Sequence, residues 1–297
     1  MRALVTAVSF LIAAGTAFAQ GERGKLLLTG GVSSIDGAAG GGLTPWAVIG
    51  SYATAGQIGA TAHLTLARTG DYALTTYGAA LGFRERFEVS LARQEFDTRS
   101  SLAPLGLDGL KLKQDILGAK VRVAGDAVLD SDTWVPQVAL GVQFKEAKPG
   151  ALGPTLEALG ADDSGVDVYV SATKLLLAQS LLINGTLRAT KANQNGLLGF
   201  GGVAGDSYEL MPEVSVAYLV SRSVAVGAEY RAKPDNLNPN PALGNGLAED
   251  DWADVFVAWA PSKRVSLTVA YVDLGKIAPG VTSSRQRGGY VSAQIAF

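Results

Sequence analysis

Between Ser223 and Arg231 the chain alternates: Val224, Val226, Ala228 and Tyr230 are apolar, while Ser223, Ala225, Gly227, Glu229 and Arg231 are small or charged. Successive side chains of a strand point to opposite faces, so this stretch is a strand with one apolar and one polar face. The split recurs at Trp134, Pro136, Val138, Leu140, Val142 and Phe144 against Gln137, Ala139, Gly141, Gln143 and Lys145. It recurs at Val265, Leu267, Val269 and Tyr271 against Arg264, Ser266, Thr268 and Ala270, and in stretches near 57–66, 86–92, 117–123 and 166–173. Each is close to the roughly 9 to 11 residues that a tilted strand needs to cross a bilayer.

The links between these stretches alternate in length. Those at 97–111, 146–165, 191–208, 232–250 and 274–285 are long. Those at 84–85, 178–180, 221–222 and 261–262 are tight, with 124–133 longer than its class. Short turns at one end and long loops at the other predict an all-β, antiparallel up-and-down transmembrane β-barrel, not a Greek-key sandwich.

Counting gives about 13 strands from residue 44 onward, whereas such barrels have an even number. Residues 24–33, with Leu26, Leu28 and Val32 on one parity, supply another, for about 14 strands. The alternative folds residues 20–56 into the lumen as a plug and leaves about 12; Gly40, Gly41 and Gly42 are poor strand formers. The 14-strand arrangement is preferred. Closure itself follows from the cost of an open sheet edge in lipid.

The amino end carries Arg2, an apolar run Ala3–Ala14, and small residues Ala17 and Ala19 around Phe18, the parts of a secretory signal. Cleavage after Ala19 is expected. The chain then divides into a signal peptide (1–19), a Gly-rich segment that is first strand or plug (20–43) and a barrel (44–297). Loss of Arg2 moves the formal charge from −2 to −3, and so small a charge excludes a nucleic-acid partner. Hydrophobic residues are 47% of the chain, yet past residue 19 no run reaches the length of a spanning helix, so the apolar material is spread through strands. There is no cysteine, which excludes disulfides and thiolate metal sites.

Aromatic residues fall mostly near strand ends: Trp46 and Tyr52, Tyr72 and Phe83, Phe87, Trp134 and Phe144, Trp252 and Trp259, Tyr271, Tyr290 and Phe297. Interfacial girdles are placed in this way. At the carboxyl end, Phe297, Ile295, Ala293 and Val291 share a face, which resembles the signature by which barrel-assembly machinery takes up outer-membrane proteins. Tyr290 has the opposite parity, so a bulge or a shifted girdle is expected there.

Three segments carry a narrower resemblance: Gly40-Gly41-Gly42-Leu43-Thr44-Pro45-Trp46, Glu229-Tyr230-Arg231-Ala232-Lys233-Pro234-Asp235-Asn236-Leu237, and Glu249-Asp250-Asp251-Trp252. On these the chain resembles an uncharacterised proteobacterial outer-membrane β-barrel family, a domain of unknown function numbered 3034. The resemblance covers essentially the chain beyond the leader, places it in a Gram-negative outer membrane and implies no activity.

His63 is the single histidine, so sites of two or three imidazoles are excluded. It shares parity with Thr65, and a His–hydroxyl pair resembles that of outer-membrane lipid hydrolases. Ile58, Ala60, Ala62, Leu64 and Leu66 take the apolar face, however, so His63 and Thr65 point into the lumen, and no Gly-x-Ser-x-Gly elbow accompanies them. The glycines at 40–42 lack the strand–helix setting of a phosphate cradle. Asp162-Asp163 and Glu249-Asp250-Asp251 read as solvated loop carboxylates, without calcium-loop spacing. Pro154–Leu159, closed by Gly160, predicts a helical turn at the mouth. No catalytic residue, metal site or cofactor is assigned.

Parity places His63, Arg86, Glu88, Lys120, Arg122, Arg188, Glu213, Glu229, Arg231 and Asp254 on the lumen face. Charges on the lipid face are costly, which largely forces them inward. They line a wet passage for small solutes, or pair across a filled lumen. The leading expectation is an outer-membrane channel or uptake pore for small solutes, in contact with lipid and lipopolysaccharide. A closed structural or surface-interaction barrel is the rival, and a lipid-modifying enzyme the third.

Overall fold

Twelve antiparallel strands close on themselves in the computed structural model, which describes residues 25–126, 134–240 and 243–297. The expected leader, residues 1–19, lies outside the described residues. The barrel strands are β3 (Ile58–Thr69), β4 (Ala73–Phe83), β5 (Phe87–Asp97), β6 (Lys111–Ala124), β7 (Gln137–Lys148) and β8 (Ser164–Leu176), then β9 (Leu181–Thr190), β10 (Glu209–Leu219), β11 (Val224–Arg231), β12 (Trp252–Ser262), β13 (Val265–Asp273) and β14 (Arg287–Ala296). Each pairs with its sequence neighbours, and β14 pairs with β3 to close the wall. Phe297 completes the seam: its amide donates to Ala60 O (2.8 Å) and its carbonyl accepts from Ala60 N (3.0 Å).

Period two sets the two faces. Leu91, Leu117, Phe144, Val255, Val257 and Val269 are exposed on the outside, while their neighbours in the strands are buried. Val291, Ala293, Ile295 and Phe297 continue this outer skin beside Leu64 and Leu66 of β3. An apolar outer face on a wall with no free edge is the form in which a sheet can stand in lipid. Loops at 98–110, 149–163, 191–208, 232–251 and 274–286 leave one end of the barrel, and tight turns such as 84–86 and 263–264 the other. The expected helical turn is α1 (Gly153–Ala158), with Leu156 buried.

The preferred count of 14 strands is corrected to 12. Residues 28–51 lie inside the barrel, where β1 (Val32–Ser33) and β2 (Ala39–Gly40) form a small hairpin of their own. Leu26 and Leu28 do not alternate across a wall: Leu28 has φ +66° and the amide of Thr29 donates to Leu26 O (3.2 Å), so the chain turns there. Residues 44–56, counted above as a strand, form no ladder, only the isolated bridge Gly40↔Pro45. Their apolar side chains need cover all the same, and Ile35, Leu43, Trp46, Val48 and Ile49 obtain it in the lumen. Each such burial contributes about 1.5–3 kcal/mol.

The girdle expectation is corrected in part. Phe87, Phe144, Trp259, Tyr271 and Phe297 are exposed on the outer face, but Trp46, Tyr72, Trp252 and Tyr290 are buried. No bulge occurs at Tyr290; β14 pairs without interruption from Gly288 to Ile295 on both sides, so its opposite parity simply turns it inward.

Candidate functional site: a plugged lumen

The hairpin turn at Ser34–Ala38 carries the plug deep into the barrel. Gly37 adopts φ +87° there, and a Cβ on it would stand 2.8 Å from Ala92 Cβ in the wall, so only glycine fits both the turn and the approach. Beside it Asp36, fully buried, meets three cations. Arg231 Nη1 lies at 2.9 Å, Arg188 at 3.7 Å and Lys145 at 3.9 Å. The wall supplies the balancing acids: Arg188 Nε donates to Glu213 (2.5 Å), and Lys145 Nζ lies 2.8 Å from Asp167. Arg188 also stacks over Tyr169, 5.2 Å from the ring centroid. A buried charge is tolerated when it is paired and hydrogen-bonded. Here the plug contributes the carboxylate that completes the set.

Two wall carboxylates hold the plug backbone. Glu88 Oε1 accepts from the amide of Ala39 (3.0 Å), Oε2 accepts from Gly50 (2.7 Å), and Lys120 Nζ lies 3.1 Å from the same carboxylate. Lys120 itself donates to Ala39 O (2.9 Å) and Trp46 O (3.2 Å). Glu229 accepts from the Leu43 amide (2.8 Å) and from the Thr44 hydroxyl (2.7 Å). The Gly40–Gly42 run makes this possible: a Cβ on Gly41 would stand 2.0 Å from Glu229 Oε1. Further contacts come from Gln94 to Ile35 O (2.9 Å), Gln137 to Ala47 O (2.9 Å) and Thr186 to Pro45 O (2.8 Å).

The loop-bearing end is closed as well. Residues 193–199 fold inward, and the Asn195 side chain donates to Asp36 (2.7 Å) and accepts from Arg231 (2.6 Å) and Lys145 (2.8 Å). Lys233 and Glu249 pair at 3.4 Å, with the Lys233 ammonium 4.5 Å from the Trp252 ring centroid. Burial pushes the Glu249 carboxyl up to about 7, with Lys233 pulling the other way. Cavities of about 40 and 30 Å³ lie beside the plug. A concavity of about 1110 Å³ is lined by Leu91, Leu117, Phe144 and Val166 of the outer face together with wall residues such as His63 and Lys145.

Of the residues assigned to the lumen by parity, His63, Glu88, Lys120, Arg188, Glu213, Glu229, Arg231 and Asp254 are buried inside. Arg122 is half-buried and pairs with Asp126 at 3.4 Å. Arg86 is corrected: it is exposed in the turn before β5, because the turn formed by Arg84 and Glu85 (φ +52° and +54°) runs up to Phe87. His63 is buried, and neither ring nitrogen has a hydrogen-bond partner among the described residues, while Thr65 bonds to Ser292 (2.8 Å). The acidic loop runs do not converge: Glu249 turns in to Lys233, Asp250 meets Arg285 (3.4 Å) and Asp251 bonds to Tyr230. Sequence reasoning missed Asp36, Lys145, Asp167 and Asn195. Lys145 and Asp167 were within its reach, as charges on the inward parity of β7 and β8; Asp36 and Asn195 lie in irregular segments without a period.

No curated protein matches the chain. Among solved structures it is similar to the KdgM porin (TM-score 0.48, 9% identity, 80% of this chain and 99% of that chain). It is also similar to the NanC porin (0.48, 8%, 80% and 98%) and to outer membrane phospholipase A from Escherichia coli (0.44, 10%, 79% and 92%). At these scores the likenesses say nothing of activity. Residues 29–294 match the family described as Protein of unknown function (DUF3034), and the chain belongs to that family.

Proposed function

We propose that this protein is an outer-membrane barrel closed at rest by its own amino-terminal segment, and that small polar solutes pass only when that segment leaves the lumen. The observation that carries the reading is the hold of Glu88 and Lys120 on the plug backbone at Ala39, Trp46 and Gly50. The apolar skin of the wall supports the membrane setting. The solute is small and polar because the wall behind the plug carries Lys145, Asp167, Arg188, Glu213 and Arg231, charges of both signs.

Planar-bilayer conductance tests it. Thr44 Oγ1 and Ser215 Oγ stand 2.5 Å apart across plug and wall, and the chain has no cysteine of its own, so T44C/S215C offers a unique lock. The intact protein is expected to be silent, a variant lacking residues 25–57 to conduct, and the oxidised lock to stay silent in urea concentrations that open the reduced form. Steady current through the oxidised lock would overturn closure by the plug. Silence of a folded variant lacking the plug would overturn the solute passage and leave a structural barrel. Against a hydrolase reading stands the unpartnered ring of His63; lipid hydrolysis that is lost in H63A would overrule that argument.

A further inference from the structure

Asp36 is the single charged residue between Leu28 and Ser51, and it stands fully buried in the turn that leads the plug into the barrel. Each of its carboxylate oxygens has donors of its own. Oδ1 accepts from Asn195 Nδ2 (2.7 Å) and Gln94 Nε2 (3.3 Å), with Lys145 Nζ at 3.9 Å. Oδ2 accepts from Arg231 Nη1 (2.9 Å), and Arg188 Nη2, buried and without a hydrogen bond, stands 3.7 Å away. None of these groups belongs to the plug: Gln94, Lys145, Arg188 and Arg231 are on β5, β7, β9 and β11, and Asn195 is in the inturned loop at 193–199.

The ion pairs of this network balance only while the plug is docked. Arg231, Arg188 and Lys145 pair with Asp167 and Glu213 of the wall, so three cations face two acids once Asp36 leaves. A cation stranded away from its partner is costly, and another carboxylate in the same place removes the cost. Two oxygens, each with separate guanidinium, ammonium or amide donors, match a planar carboxylate. The Asp36 side chain is itself an acetate group tethered to the chain. We infer that Lys145, Arg188, Arg231 and Asn195 form a binding site for the carboxylate of a small organic acid, which Asp36 fills in the closed barrel and such a solute takes over when the plug leaves. The inference rests on the proposed release of the plug, and it names the class of solute that the passage serves. Because Asp36 and the acid exclude each other, the acid also favours the open state.

Acetate binding and plug exchange test this in the full chain, without recourse to current. Labelled acetate is dialysed against the refolded protein at constant ionic strength in KCl, with acetamide as the neutral isostere and inorganic phosphate as the rival anion. Asp36→Ala, which vacates the site, is expected to bind one acetate per chain at least about tenfold more tightly than the unaltered protein, without competition from acetamide and with little from phosphate. Adding Arg231→Met to Asp36→Ala is expected to abolish the binding. In the unaltered protein, potassium acetate at about 0.2 M is expected to speed amide exchange over residues 32–50 at least about threefold relative to the same concentration of KCl. Equal acetate uptake by Asp36→Ala and the unaltered protein would overturn the site, and displacement by phosphate as readily as by acetate would overturn the carboxylate class. Should Asp36→Ala fail to refold, exchange in the unaltered protein decides: equal rates in acetate and chloride reject the inference. A folded plug-less barrel that stays silent while the full chain binds acetate would sink the solute passage and keep the site; one that conducts while the full chain ignores acetate would sink the site alone.

Discussion

Glu88→Ala is expected to release the plug and leave the wall standing. The carboxylate accepts two plug amides, at 3.0 and 2.7 Å, and faces Lys120 at 3.1 Å. A hydrogen bond to a buried charged group contributes about 1.5–3 kcal/mol. Removing one side of a buried ion pair costs about 3–5 kcal/mol, because the other charge is stranded. The two overlap, since Lys120 keeps its own bonds to Ala39 O and Trp46 O. A net loss of about 4 kcal/mol in plug docking follows, which is roughly a thousandfold in the ratio of docked to undocked plug. The wall is spared because the backbone ladders of β5 with β4 and β6 do not involve the carboxylate. Amide hydrogen exchange over residues 32–50 reads the effect, with exchange in β3–β14 as the internal control. Plug amides are expected to exchange up to about a thousandfold faster in E88A, and E88A/K120M to recover part of that loss, because no charge is then stranded. Plug exchange in E88A as slow as in the unaltered protein would refute the reasoning.

Three further outcomes are expected. Gly41→Ala places a methyl group 2.0 Å from Glu229 Oε1, so the carboxylate must leave the Leu43 amide; a loss of about 1–3 kcal/mol in docking should appear as faster exchange at residues 41–45, and unchanged exchange there would count against the close approach. Leu91→Arg puts a charge on the outer skin and should cost about 2–4 kcal/mol in urea unfolding from vesicles, whereas an unaltered midpoint would count against lipid contact at Leu91. Glu249 is held at about 7 by burial against 4.5 when free, so its contribution to stability is full below pH 4.5 and declines as pH rises to about 7. Glu249→Gln should flatten that part of the stability profile, by at most about 3 kcal/mol, and equal slopes in the two proteins would reject it.

What the sequence determined by itself is the wall. A strand between lipid and lumen must alternate, and that constraint acts on each residue separately, so Val224, Val226 and Tyr230 could be sent outward and Glu229 and Arg231 inward before any pairing was known. Link lengths then ordered the strands. The same logic misread residues 24–33 and 44–56, whose apolar residues look like strand residues but whose cover comes from the inside of the barrel. It also misplaced Arg86, which lies in the turn before β5 begins at Phe87. Only the tertiary structure decided that the amino-terminal segment is a plug and what holds it. Asp36 meets Arg231 across 195 positions of the chain and Glu229 meets Leu43 across 186, and no local pattern encodes such pairs. A buried charge is stable or ruinous according to the partner that the closed barrel brings to it, and that partner exists only once β14 has met β3.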